Sequence, residues 1–296
     1  MSFKKTLASF LVAALALGTL AACGGQDPAG SEAGSAPAAS SDDKVITIGA
    51  TPAPHKEILD ALAPEFEKEG YTLKIQEFTD YVLPNKALND GEIDANFFQH
   101  KPFLDDFNKE NKTDLKDVVF VHYEPMAIFP GKVTTLDALK EGDKIAVPND
   151  TSNEARALLL LQENGLITLK EGAGLTATVR DIQDNPKKLE IVEMEAAQIP
   201  RALPDVALAV INGNFAIASD IDFTGNLAVE DPNSIAAKAY ANVVAVRTAD
   251  ADSDKTKVLV KVLSSDAAKK LISDKYQGTV IPVNTADVQA YFDEAK

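Results

Sequence analysis

The chain has 296 residues, 45% of them hydrophobic and 25% charged, an ordinary composition for a globular protein of one large or two modest domains. Its formal net charge of -16 argues against nucleic acid as a partner and against a broad basic face that would hold the protein on an anionic membrane. One cysteine excludes an internal disulfide, and three histidines leave little material for a metal cluster.

Residues 1–22 read as a secretory signal peptide. Lys4 and Lys5 precede an uncharged, largely apolar run from Leu7 to Ala22 that ends in small residues. The run is too short and too rich in small side chains to span a bilayer, which takes about 20 predominantly apolar residues. Cys23 follows Leu20-Ala21-Ala22, and this LAAC is similar to the lipobox at which bacterial lipoproteins are cleaved and acylated, so Cys23 is the expected lipid attachment point. Residues 23–43 read as a flexible tether: Cys23 is followed by GGQDPAGSEAGSAPAASSDD, which cannot bury enough apolar surface to order itself and has a reach of ~25 Å. Removal of residues 1–22 takes away two lysines and no acid, leaving 27 basic against 45 acidic residues, a net charge of -18.

From Lys44 onward, short apolar strands alternate with helical patterns. The first unit reads as the strand VITIGA, a helix over His55 to Glu69, the strand TLKIQEF, a short helix over Asn85 to Asp90, the strand DANFF, a helix over Pro102 to Lys109 and a strand at Val118 to Val121. The second begins near Lys132, with helices over 135–141, 152–164 and 197–203 and strands at 144–148, 189–193 and 206–211. The last of these strands is a continuous apolar run, which fits burial on both faces of a mostly parallel sheet. The strand VVAVR then follows Asn242, with helices over 254–263 and 265–275, a short strand TVIPV and a closing helix over 285–294. The pattern predicts an α/β fold like that of periplasmic binding proteins, type II-like with two crossovers. Lobe 1 spans 44–129 and 243–296, lobe 2 spans 130–242, and a ligand cleft lies between them.

No chemistry of catalysis is legible. The chain has no GxSxG elbow, no GxxxxGK[ST] phosphate loop and no GxGxxG after a strand, so no catalytic residue and no cofactor are assigned. His55, His100 and His122 form no HxH or HExxH pair, so no metal site is assigned. Binding residues are better marked. Tyr81, Phe98, His100 and Phe103 gather aromatic surface near a strand-to-helix junction, and sulfur–aromatic contacts are worth about 0.3–1.5 kcal/mol each. Phe97, Phe98's neighbour on the strand, faces the opposite way, into the core. In VPNDTSNEARALLLLQ a strand gives way to a helix that Asp150 to Ser152 can cap, and Arg156 offers a planar fork able to hold a carboxylate bidentately. Asn212 and Asn214 stand at the carboxyl end of an apolar strand, and Asn242 stands where the chain crosses back; turn formation competes with a cleft role for all three.

Taken in order, LAAC, FTDYVLPN, DANFFQHKPF, VPNDTSNEARALLLLQ, ALAVINGN and YANVVAVR resemble the NlpA-type methionine-binding lipoproteins of bacterial ABC importers over essentially all of Lys44 to Lys296. The resemblance implies that Tyr81, Phe98 and His100 surround the ligand side chain, that Arg156 binds its carboxylate, and that Asn212 and Asn242, with Asn214, hold its backbone groups. Phe103 departs from the KPY common in the family and loses a phenol hydroxyl. The implied function is capture of methionine, most simply L-methionine, by a monomer lipid-anchored outside the membrane, which hands it to an ABC permease and its ATPase. D-methionine, its sulfoxide and methionine dipeptides are the alternatives within the family. A metal-capturing lipoprotein is the alternative outside it, and convergence of the three histidines would favour it.

Overall fold

The computed structural model describes residues 41–234 and 236–294. The signal peptide 1–22, the lipidation residue Cys23 and most of the tether 23–43 lie outside the described residues. Among the described residues no helix is long and apolar enough to cross a membrane.

The chain builds β1 (Val45–Ala50), α1 (Glu57–Lys68), β2 (Thr72–Glu77), α2 (Leu83–Asn89), β3 (Ala95–His100), α3 (Lys101–Asn111) and β4 (Leu115–Tyr123). It then passes to a second region of β5 (Ala127–Pro130), β6 (Lys144–Pro148), α4 (Thr151–Glu163), the hairpin of β7 (Thr168–Leu169) and β8 (Ile182–Asp184), β9 (Glu190–Met194), α5 (Ile199–Ala202), β10 (Leu208–Ile211), α6 (Gly213–Ala218) and β11 (Ala228–Val229). It returns through α7 (Ala236–Ala239) to β12 (Asn242–Arg247), α8 (Asp254–Leu263), α9 (Asp266–Tyr276), β13 (Ile281–Pro282) and α10 (Thr285–Glu294). One sheet runs β13-β4-β12-β3-β1-β2 and the other β11-β5-β10-β6-β9, so the chain crosses between sheets twice, after β4 and after β11. This is the two-lobed architecture expected.

Each sheet is covered on both faces, which is why its strands read as near-continuous apolar runs. In the first lobe Ile46, Ile48, Phe97 and Val244 pack with Ile58, Phe66, Leu259 and Ile272 of the helices on one face, while Leu88, Leu104, Phe120 and Val243 form the core of the other. In the second, Ile145, Val147, Leu158 and Val210 fill one face, and Ala146, Ile199, Ile211 and Phe215 the other.

Three expectations need correction. The sheets are mixed rather than mostly parallel, because β5, β11, β12 and β13 pair antiparallel with their neighbours. β5 and β12 flank the two crossings, and a strand that carries the chain back between lobes runs against those that leave. The boundary drawn between residues 129 and 130 falls inside β5, which pairs with β10 in the second sheet from Ala127 onward, while Asn242 pairs with His100 and His122 in the first. The helix expected over 135–141 is a single 3-10 turn, Leu136–Ala138, since Leu139 is extended and the Asp143 carboxylate takes the Lys140 N–H.

Gly131, which follows β5, tests the fit between the lobe's strands and loops. A Cβ there would strike the backbone oxygen of Val206 and stand 2.6 Å from that of Leu203, atoms that cannot rotate away. Gly131→Ala is expected to lower stability by about 1–3 kcal/mol in urea unfolding, while Gly225→Ala, where an added Cβ meets nothing within 4 Å, stays within about 0.5 kcal/mol. Equal effects at the two positions would contradict this packing.

Candidate functional site

The side chains singled out from sequence converge where the lobes face each other. Alternation along β3 sends Phe97 into the first lobe's core and Phe98 to the opposite side. Phe98 meets Tyr81 at 5.9 Å and Phe103 at 6.0 Å between ring centroids, and Tyr81 lies 5.6 Å from Phe103 and 4.8 Å from Phe215 of the second lobe. The four rings make an aromatic slot, and a cavity of about 110 Å³ adjoins it beside Tyr81, Phe103 and Phe215.

Polar groups close the slot. His100 caps α3: its Nδ1 accepts from the Phe103 N–H at 3.3 Å, so Nε2 carries the proton and donates to Asn153 Oδ1 at 3.0 Å. Asn153 Oδ1 also accepts from Asn212 Nδ2 at 2.8 Å, and Tyr81 donates its hydroxyl to Asn214 Oδ1 at 2.5 Å. His100–Asn153 and Tyr81–Asn214 therefore bridge the lobes. Asn212 Oδ1 and Asn214 Nδ2 are buried without a hydrogen-bond partner, and such groups are rare enough to ask for an explanation. The space enclosed by Tyr81, Gln99, His100, Phe103 and Asn153 is about 10 Å³, room for one water, so an amino acid enters only if the lobes or these side chains move apart.

Arg156 lies on α4, whose N-terminus is capped by Asp150 through the Asn153 N–H at 3.0 Å. The anion that the helix end favours is thus the chain's own. The Arg156 fork is likewise used internally. It donates from Nε and Nη2 to both oxygens of Glu230, at 2.7 and 2.5 Å, and from Nη2 to the Glu124 carbonyl at 2.7 Å. The bidentate grip that the sequence offers to a ligand is therefore held by Glu230, and Nη1 is the arm left without a hydrogen bond to a described residue. Tyr240 stacks on the guanidinium at 4.4 Å.

Asn242, at the start of β12, lies deeper. Its Oδ1 accepts from His55 Nε2 at 3.0 Å, and His55 Nδ1 accepts from the Thr51 hydroxyl at 2.7 Å. His122 Nε2 donates to Glu124 Oε1 at 2.6 Å, and His55 Nε2 is 3.4 Å from the same oxygen. His55, His122 and Glu124 are thus a donor set of metal-ligand type, and all are buried. The 2.6 Å contact has a proton between its atoms and is too short for two ligands spread around one ion at about 2.0–2.1 Å each. His122 Nδ1 also lacks the acceptor that normally orients a metal-bound imidazole. His100 stands apart on Asn153, so the three histidines do not converge.

The comparisons with known proteins agree with this geometry. Residues 46–284 match the model of the NlpA lipoprotein family. The chain belongs to that family. A relative in Vibrio cholerae, a probable D-methionine-binding lipoprotein MetQ, is 40% identical over 81% of this chain and 88% of its own. The methionine-binding lipoprotein MetQ of Bacillus subtilis is 37% identical over 90% of this chain and 94% of its own. Among solved structures, a nutrient-binding protein from Burkholderia cenocepacia bound to methionine is 43% identical, with a TM-score of 0.76 and coverage of 80% of this chain and 99% of that one. The NlpA family is one of substrate-binding proteins.

In this NlpA lipoprotein, Tyr81, His100 and Phe103 line one small space with Gln99 and Asn153, Phe98 packs on Tyr81 and Phe103, Asn212 and Asn214 are hydrogen-bonded to Asn153 and Tyr81, Arg156 is held by Glu230 and the Glu124 carbonyl, and Asn242 lies on His55 in the buried cluster with Glu124. Sequence reasoning missed Asn153, Phe215, Glu124, Glu230 and Tyr240. Glu124 and Glu230 carried a signal: Glu124 is an isolated acid beside apolar strand residues in VHYEPMAIF, and Glu230 directly follows the apolar strand residues of NLAVEDP.

Burial holds all three histidines neutral: His55 falls to about 4 against the opposing pull of Glu124, His100 to about 3 with Arg156 assisting, and His122 to about 3. Burial also raises the Glu124 carboxyl, whose contribution runs the other way, since the folded state then takes up its proton first as pH falls. His100 touches no carboxylate and gives the cleaner test. Its unfolded form protonates near 6.5 while the folded form does not until about 3, so its contribution is complete above pH 6.5 and declines as pH falls toward 3. Between pH 6 and 4 the stability of His100→Gln is expected to fall less steeply than that of the native chain, by up to about 1.4 kcal/mol per pH unit in denaturant titrations. Parallel slopes would show that folded His100 takes up its proton as readily as the unfolded chain.

Proposed function

We propose that this NlpA lipoprotein captures methionine, first of all L-methionine, on the extracytoplasmic side of the membrane and delivers it to an ABC permease. Its anchor is a lipid on Cys23, and it performs no catalysis. The observation that carries the reading is the aromatic slot of Tyr81, Phe98, Phe103 and Phe215, to which two asparagines with unpartnered buried amide atoms, Asn214 and Asn212, are joined through the Tyr81 hydroxyl and Asn153. A thioether suits the rings, and the amides and the Nη1 donor suit the backbone groups of an amino acid. The methionine bound to the Burkholderia cenocepacia neighbour supports the same ligand. The ligand stabilises whichever arrangement gives it contacts to both lobes at once, and that arrangement is the one a permease would recognise.

The test is calorimetry on the full chain, unfolded and refolded to strip carried-over ligand. L-methionine is expected to bind, and norleucine, which replaces sulfur by a methylene, is expected to bind about 2- to 10-fold more weakly, since a sulfur–aromatic contact is worth about 0.3–1.5 kcal/mol. The D-enantiomer, the sulfoxide and a methionine dipeptide, titrated in parallel, define the preference within the family. Absence of heat with all of them would refute the reading.

A further inference from the structure

Glu124 has no assigned role, yet it is packed beside the Asn212–Asn214 turn. It sits in the first crossing between lobes, and its backbone carbonyl takes Arg156 Nη2 at 2.7 Å. Its side chain is 5% exposed as a residue and is pressed against Gly213, the residue between Asn212 and Asn214. A Cβ on Gly213 would stand 2.9 Å from Glu124 Cβ and 3.4 Å from its Oε2, so the glycine is what admits this carboxylate. The two unpartnered amide atoms, Asn212 Oδ1 and Asn214 Nδ2, belong to the residues on either side.

The charges around this point do not cancel. Among the described residues Arg156 is the only buried lysine or arginine, and Glu230 neutralises it bidentately. The side-chain neighbours of Glu124 are His55 and His122, and burial keeps both neutral near pH 7. Two acids thus share one base; burial raises the Glu124 carboxyl, and because Arg156 is already held by Glu230, the ionised form of Glu124 is the one that a further cation would stabilise. A buried charge without a counter-charge is costly, and a cation arriving with the ligand would remove that cost. An α-amino acid carries its ammonium on the same carbon as its carboxylate. A site that holds the carboxylate by the free arm of Arg156 therefore has to present an acceptor for the ammonium close to Arg156, and Glu124 is anchored to Arg156 through its own backbone.

We propose that Glu124 is the counter-charge for the ligand's ammonium group, and thereby the residue by which this cleft selects α-amino acids over simple carboxylic acids. Asn212 Oδ1 supplies a second, neutral acceptor, while His122 holds the carboxylate in place by donating to its Oε1, with His55 packed 3.4 Å from the same oxygen. The proposal rests on the methionine reading above and names a determinant of its specificity.

The experiment compares L-methionine with 4-(methylthio)butanoate, the same molecule without its ammonium, by calorimetry on the full chain and on Glu124→Gln. The native chain is expected to prefer methionine by about 10- to 100-fold, the range of a charge-assisted hydrogen bond. Glu124→Gln is expected to lose most of that preference by weakening methionine alone, with 4-(methylthio)butanoate binding as before or more tightly. A native chain that binds both compounds equally overturns the proposal without any variant, and so does a folded Glu124→Gln that keeps the preference. A native chain that binds no form of methionine overturns the functional reading itself, which separates the two failures.

Discussion

The Glu230 carboxylate gathers Arg156 Nε and Nη2, the Tyr123 hydroxyl at 2.6 Å and the Met126 N–H at 2.8 Å, and these donors come from α4, the end of β4 and the first crossing. Glu230 itself begins the second crossing, so one buried ion pair ties together both places where the chain passes between lobes. Desolvating two charges is expensive, and such a pair is sustained by good geometry and by further donors that fill the remaining lone pairs. Here both conditions are met. The cost of removing either partner, about 3–5 kcal/mol in comparable cases, would fall on the junction that sets the relation of the two lobes.

From that pin the cleft takes its character. Arg156 is committed to Glu230, which leaves a ligand one arm of the guanidinium rather than the full fork. The bridges Tyr81–Asn214 and His100–Asn153 join the lobes through the same side chains that face the slot. A ligand between the lobes favours closure only by contacts it makes better in that form. Neutral histidines serve this design, because each offers one donor and one acceptor in fixed places and adds no charge to a low-dielectric interior.

Much of this was legible in the sequence where local rules decide. Alternation along DANFFQH separates Phe97 from Phe98, an Asp placed three residues before an Asn caps α4, and the continuous apolar run ending at Ile211 marks a strand covered on both faces. What escaped depends on pairs far apart in the chain. Glu230 meets Arg156 across 74 residues and Asn242 meets His55 across 187, distances at which no periodicity or spacing carries information. β5 escaped because Ala127–Pro130 is too short to show alternation and is fixed as a strand by its partners β10 and β11.

The central claim is that the ligand's sulfur lies among the rings of Tyr81, Phe98 and Phe103. A crystal structure of the protein with L-selenomethionine as ligand, grown from chain containing ordinary methionine, locates that atom by anomalous scattering. The account predicts one strong selenium peak inside the aromatic slot. A peak instead in the outer groove between α3 and the start of α4, beside Lys86 and Glu110, would contradict it.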